Sequence, residues 1–487
     1  METIFYKTVP ISQVASTVET ILTDRYQIKN SNLVNSIERL KTYLKPFRSD
    51  LFVVIEHPYV DKTYRDTYYN YYASKNHSYH RNSIRLSLLN ENLPDEVFRS
   101  RADYQKVKDS YLGFIILRPT FPAIVGRSLV SPKALQNMNI AICNVSYPAT
   151  VNGLKVNVNG FPHSSQDSEA ITCAETTLWS LMEYFGNRYA EYTPILPSEV
   201  NRILGKFSFE RLLPSKGLQA GQISFALKEI GFGVRIYGKQ QYKDDFFRML
   251  RTYVESGIPV VGVLQNNQGI GHALNIIGRN RLNEHTDLTA LPEIAQINGQ
   301  KVSDMADLDL EYVMIDDNYP PYQTAQLTTP VSYYTNPRWT GCELTYFIVP
   351  LYHKIYMEAN EARRTSLGLI SSLANDINSP VLIRTLLASS RSFKDSVALN
   401  EELNKDAKEL LISTPMPKFV YITEVSTQQQ LLDHKAMGMV ILDATEPKGT
   451  GIIAAMLGGQ YLAHDLTSLT AINLNLSPFS TYQSNLR

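Results

Sequence analysis

Three side chains, far apart in the chain, have types and settings that suit nucleophilic acyl chemistry. Cys173 stands in Ile171-Thr172-Cys173-Ala174-Glu175, ahead of a segment with apolar residues on one face, so it is predicted to open a helix. The first turn of a helix leaves backbone N–H groups unpaired and carries the positive end of the dipole, which favours the nucleophilic thiolate. His272 follows the glycine- and amide-rich run from Gln265 to Gly271 and opens a predicted strand. That position puts the imidazole at a sheet edge, where it can face the start of the cysteine helix and act as base. The predicted strand ending at Ile315 runs into Asp316, Asp317 and Asn318. A carboxylate or amide there can accept from the imidazole and fix its tautomer. Asp316 is favoured because it directly follows the apolar strand. Asp317 and Asn318 stay open as the third member, since a slip of one residue reverses the face. Each residue alone has a plainer reading: a packed thiol, an ordinary histidine, a strand-end turn cap. The ordered set is more specific than its parts.

The elements that must position these groups follow from periodicity and punctuation. Cys173 to Tyr184 reads as a helix stopped at Gly186, Gln222 to Ile230 as a second stopped by Gly231, and Asp244 to Glu255 as a third stopped by Gly257. Strands are then predicted at Pro259–Leu264, Ala273–Ile277 and Tyr312–Ile315. Helices first and antiparallel strands afterwards is an α+β pattern, with the cysteine on the helices and His272 and Asp316 on the sheet. The polar insertion from Arg279 to Asp309 is read as a flap beside the cleft or a surface excursion. A chain of 487 residues exceeds one typical core, so three regions are expected: 1–135 (α/β), 136–350 (the chemical domain) and 351–487 (α/β). In the first, helices are predicted at Val14–Leu22 and Leu33–Leu44 and buried strands at Leu51–Ile55 and Tyr111–Leu117. Between them, Tyr64 to Tyr79 is a tyrosine-rich stretch read as a recognition surface or a partly buried aromatic loop. In the last region, helices are predicted at Ala359–Ile377 and Pro380–Leu387. Strands at Phe419–Ile422 and Met439–Leu442 flank a short helix.

Over residues 160 to 350 the sequence resembles the papain-like cysteine peptidases, in particular the branch of double-glycine leader peptidases and their relatives. The resemblance rests on Gln166 ahead of a Cys173-Ala174 helix, Gly257-Ile258-Pro259-Val260-Val261 before the histidine loop, Gly271-His272-Ala273, and the acidic strand end at Asp316. It implies a papain-like central domain, a Cys173–His272–Asp316 triad, a thioester intermediate and hydrolysis of a peptide bond, with no metal or organic cofactor. It also implies that the Gln166 amide donates to the oxyanion, where one donor contributes about 3 kcal/mol. Thr172-Cys173-Ala174-Glu175 stands where leader peptidases have Asp-Cys-Gly, and Gln166 lies one residue farther from the cysteine than is usual. Neither flank resembles the transporter to which leader peptidases are often fused, so bacteriocin maturation is not expected.

Composition bounds the alternatives. Lys plus Arg and Asp plus Glu both total 47, giving zero formal charge, which disfavours nucleic acid as a partner. The N-terminal METIFYKTVPISQVAS lacks a basic stretch followed by an apolar core, and no apolar run approaches the roughly 20 residues needed to span a bilayer. Three dispersed cysteines, Cys143, Cys173 and Cys342, suggest neither a disulfide framework nor a zinc site. The expectation is a cytoplasmic enzyme acting on a protein or peptide, its flanks hinting at a regulatory protein partner. The same triad would serve an acyltransferase or isopeptidase, because an amine can resolve a thioester as water does. A non-catalytic binding scaffold is the third reading. His77 and His80 are read as solvated loop residues, Gly458-Gly459-Gln460 as a turn rather than a phosphate cradle, and Cys143 and Cys342 as buried packing residues.

Overall fold

The computed structural model describes residues 5–28, 31–98, 103–207, 212–214, 218–373, 377–447, 451–464 and 469–487. It is an α+β protein built on three large sheets, each covered on at least one face by helices or by another sheet.

The first sheet is antiparallel throughout, in the spatial order Phe5–Pro10, Phe52–Tyr59, Ser83–Leu89, Tyr111–Leu117, Val125–Val130, Leu154–Ser164, Val145–Val151. It therefore runs past residue 135 and ends within ten residues of Cys173. One face, with Val53, Ile55, Leu86 and Ile115, packs under the helices Val14–Asp24 and Ser31–Leu44. The tyrosine-rich stretch is in part a helix, Lys62–Asn70, capped by Asp61, whose side chain accepts from the Tyr64 N–H at 2.9 Å. Tyr64 and Tyr72 are buried against Ala170 and Ile171, so this stretch braces the loop before Cys173.

The second sheet carries His272 and, just past a strand end, Asp316. Its order is Gln323–Gln326, Glu311–Ile315, Gly271–Asn280, Val260–Gln265, Glu343–Tyr352, Phe232–Gly238, with Ile140–Ile142 joining the far end of Gly271–Asn280. Alternation decides which neighbour each strand residue meets. Ala273 and Ile277 share a core with Leu178 and Leu181 of the cysteine helix, while Leu274 and Ile276 share another with Leu250 of the helix Asp245–Glu255.

The third sheet holds eight strands, from Ala295–Ile297 and Gln300–Asp304 through Val381–Ser389, Phe419–Ser426, Gly438–Asp443, Ile452–Leu457 and Gln460–His464 to Leu469–Asn473. Two expectations change here. Pro380 to Leu387 is not a helix: Val381–Ser389 is a central strand, its β-branched and apolar residues buried on both faces. The insertion at 279–309 is not a flap: residues 281–293 form a mostly exposed surface loop, and the rest joins a sheet. Its hairpin adds two strands to the third sheet, with Val302 paired to Val381 in parallel. Gly458 and Gly459, at φ of 59° and 71°, form the two-residue turn joining Leu457 to Gln460. No helix among the described residues is long and apolar enough to cross a membrane.

Candidate active site

The cysteine helix runs from Cys173 to Arg188. Thr172 caps it, and its N–H donates to the Glu175 carboxylate at 3.3 Å, the reciprocal half of a capping box. Residues 174–185 are all buried, as befits a helix enclosed on every side. Gly186 does not stop the helix, which continues for two more residues. Its glycine serves a close approach instead, because a Cβ there would lie 2.3 Å from the Pro194 nitrogen. The loop leading in winds around Asp167, whose Oδ1 accepts from the N–H groups of Glu169, Ala170 and Ile171 at 2.8–3.0 Å. Ser168 takes a left-handed φ of 64° within that turn. Tyr71 also donates to Glu169, at 2.9 Å, from the tyrosine-rich segment.

Two hydroxyls and an amide tie this helix to the histidine strand. Thr177 donates to the Ala273 carbonyl at 3.1 Å, and Asn275 Nδ2 donates to the Thr177 carbonyl at 3.0 Å and to Ser180 at 2.8 Å. These bonds set the cysteine at the end of the sheet where His272 begins its strand. Cys173 is partly exposed, whereas His272 is 4% exposed and Asp316 fully buried.

His272 Nε2 lies 3.0 Å from Asp316 Oδ1. A carboxylate held in this way only accepts, so Nε2 carries the proton and Nδ1 is the nitrogen that remains for Cys173, whose thiol helps to raise the pKa of the ring. Burial would lower the His272 pKa, but the Asp316 charge and bond, the contact with Cys173 and the Asp317 charge raise it well above the ordinary value. Burial likewise opposes ionisation of Asp316. The imidazolium, together with bonds from the Asn318 N–H and Tyr334, nevertheless holds its pKa below the usual carboxylate value.

Asp316 is the most fully bonded group of the site. Oδ1 also accepts from the Asn318 N–H at 3.0 Å, and Oδ2 accepts from the hydroxyls of Tyr333 and Tyr334, each at 2.8 Å. Trp339 stacks against Tyr334, and its ring meets His272 edge-on with centroids 5.2 Å apart. Asp317 also approaches the ring: its Oδ2 accepts from Thr176 at 3.0 Å, while Oδ1, buried and without a hydrogen bond, is 3.9 Å from His272 Nε2. Burial, with the neighbouring Asp316 charge, pushes the Asp317 pKa up to about 7. Asn318 faces outward and links the site together, donating to Tyr334 at 3.0 Å and accepting from Gln166 Nε2 at 2.6 Å. Gln166 is thereby brought to the aspartate loop, two bonds removed from Asp316.

No protein-family model matches this chain, and a search of curated proteins finds no match either.

Three positions escaped the sequence reading. His163 is fully buried; its Nε2 donates to the Asp316 backbone carbonyl at 3.1 Å, and its Nδ1 faces the hydroxyls of Ser128 (3.1 Å) and Tyr43 (3.2 Å). Burial lowers its pKa to about 4, so it is neutral and positions the aspartate loop. Tyr333 and Tyr334 are the others. An aromatic run soon after the acidic strand end was a visible signal for them, whereas the partners of His163 lie on remote elements. Cys143 and Cys342 are buried, and burial raises both thiols. Among the described residues, His272, Asp316 and Asp317 are the group that could surround a cation, with ligand atoms within 4.8 Å of one another. Four hydrogen bonds already occupy the Asp316 oxygens, an arrangement suited to orienting an imidazole rather than ligating an ion. His77 and His80 are exposed on the tyrosine-rich segment.

Proposed function

We infer that this chain is a papain-like cysteine peptidase that hydrolyses a peptide bond in a protein or peptide substrate. The observation that carries the reading is a helix-opening thiol that interacts with an imidazole whose Nε2 is 3.0 Å from a buried, fourfold-bonded carboxylate.

In this reading His272 takes the Cys173 proton, and Asp316 stabilises the imidazolium. The thiolate attacks the scissile carbonyl carbon, and its oxygen becomes an oxyanion. The first-turn N–H groups of the cysteine helix and the Gln166 amide, released from Asn318, are the donors for that charge. His272 then gives its proton to the leaving amine, which leaves a thioester on Cys173. Water, deprotonated by His272, resolves the thioester and frees the acid product. Asp316 acts through the imidazole by fixing its tautomer and favouring its charged form. Tyr333, Tyr334 and Trp339 shield the His272–Asp316 bond from water, where it is electrostatically stronger.

The test is a thiol-reactive activity probe with and without Cys173→Ala. The wild type labels at Cys173, and the variant loses both labelling and cleavage, the latter by more than about a thousandfold. Unchanged labelling or cleavage would refute the assignment. Mass analysis of the products distinguishes water from an amine as the acceptor.

A further inference from the structure

The outer face of the first sheet, turned away from the two N-terminal helices, forms the floor of an open cleft of about 610 Å³ between the sheet, the helix Tyr104–Ser110 and the hairpin of Val145–Val151 with Leu154–Ser164. Strand register puts Arg85 and Arg127 on the same face as Phe114, and both guanidiniums lie over its ring, at 4.5 and 5.0 Å. Their side chains are only 3% and 9% exposed, yet both line the cleft. Tyrosines hold the forks in place. Arg85 donates to Tyr59 at 2.6 Å and Tyr111 at 3.0 Å, and Arg127 donates to Tyr147 at 3.1 Å.

The charge on this wall is one-sided. Lys62, Lys108 and Lys155 line the cleft with the two arginines, and no carboxylate does. The acidic partners sit behind: Asp61 bonds Arg127 Nε, Glu56 lies 3.7 Å from Arg85 Nε, and Glu183 pairs with Lys62 at 3.0 Å. Lys108 and Lys155 have no carboxylate partner among the described residues. Tyr104 donates to the Lys155 carbonyl and so fixes the helix to the strand beside the opening. A guanidinium offers five donors, more than these partners accept, and its planar fork matches phosphate oxygens.

The geometry points to a binding site for a small molecule carrying two or more phosphate groups. The volume lies in the range of small-molecule sites. Five cations facing one cleft over-match a single carboxylate, whereas adjacent phosphates engage the arginine forks at depth and the lysine charges nearer the surface. This site is independent of the cysteine chemistry, and its test reads binding alone.

The experiment is calorimetric titration of the full chain with inorganic tripolyphosphate and, separately, with ATP, at about 0.15 M salt. Arg127→Gln strips buried Asp61 of its partner and threatens the fold, so the deciding variant is Lys108→Gln with Lys155→Gln, both exposed. Saturable one-site binding is expected for both probes, weakened at least about fivefold in that variant with a shallower salt dependence. Lys228→Gln with Lys405→Gln, exposed in the other regions, leaves it unchanged. Absence of saturable binding by either probe, equal affinity in the Lys108/Lys155 variant, or equal weakening in the control pair overturns the proposal.

Discussion

Asp316 and Asp317 are adjacent carboxylates with opposite behaviour, and environment sets the difference. Asp316 faces four donors, one of them the His272 ring, and stays ionised. Asp317 has one hydroxyl donor and a buried oxygen without a hydrogen bond, so burial keeps its proton to about pH 7. Replacing Asp316 by Asn keeps the shape but removes the charge that stabilises the imidazolium. Cleavage is expected to fall by about 10²- to 10⁴-fold. The alkaline limb of kcat/KM should move to lower pH, because His272 then loses its proton sooner; a pH–rate profile reads this. For stability the signs differ by residue. The raised His272 pKa contributes below its unfolded value near 6.5, and this is lost as pH rises through the folded value. The lowered Asp316 pKa contributes above about 3.9, and this is lost as pH falls through the folded value. For Asp317 the pKa is raised, so its contribution is full below about 4 and lost as pH rises towards about 7. Asp317→Asn is therefore expected to match the wild type near pH 4 and to exceed it by about 1–3 kcal/mol near pH 8 in urea unfolding.

At the scale of elements, the site is a junction of four segments, each held by its own bonds. The cysteine helix is clamped to the histidine strand through Thr177 and Asn275, and the aspartate loop is tied to the first sheet through His163. Tyr322, just beyond the loop, accepts from the Phe161 N–H at 2.9 Å and donates to the Val130 carbonyl at 2.6 Å, holding a left-handed φ of 69°. Gly160 makes that approach possible, since a Cβ there would lie 2.4 Å from the Val130 oxygen. The segment with Tyr333 and Tyr334 covers the aspartate from the other side. Substituting both tyrosines with Phe preserves the rings but leaves Asp316 Oδ2 without its two hydroxyl donors. The expected cost is about 1–3 kcal/mol per bond in chemical denaturation, with reduced cleavage and retained Cys173 labelling.

At the scale of the molecule, the central sheet does not own its cores. One face shares a core with the first sheet through the cysteine helix, and the other shares one with Val381, Ile383, Tyr421 and Val440 of the third sheet. A buried charge network reinforces the second junction. Glu255, held at about 2 by Arg279 and Arg384 against the opposing effect of burial, bridges the sheets, and Arg384 also bonds Glu424 at 2.8 Å. The C-terminal residues close the seam, with the Arg487 N–H donating to the Ile142 carbonyl at 3.0 Å and Ser484 to the Glu255 carbonyl at 2.8 Å. A fragment of residues 136–350 would expose both apolar faces and strand unpaired charges. It is expected to lack cooperative unfolding and to bind a hydrophobic dye, whereas the full chain unfolds cooperatively. A well-folded fragment would show the flanks to be dispensable for the site.

Local pattern alone determined that a helix opens at Cys173, that a strand opens beside His272 and that one closes just before Asp316. Capping residues, glycine stops and apolar alternation act over a few neighbours and are therefore readable in the chain. The same local reading failed at Pro380–Leu387, where a short apolar run suits either a helix or a buried strand and only the flanking strands of the third sheet decide. It also took Gly186 for a stop, because the Pro194 contact that requires a glycine there is not a neighbour in that helix. Which carboxylate meets His272 depends on register, and where Gln166 points and why His163 is buried depend on partners more than a hundred residues away. Those are long-range packing choices, and only the tertiary structure makes them.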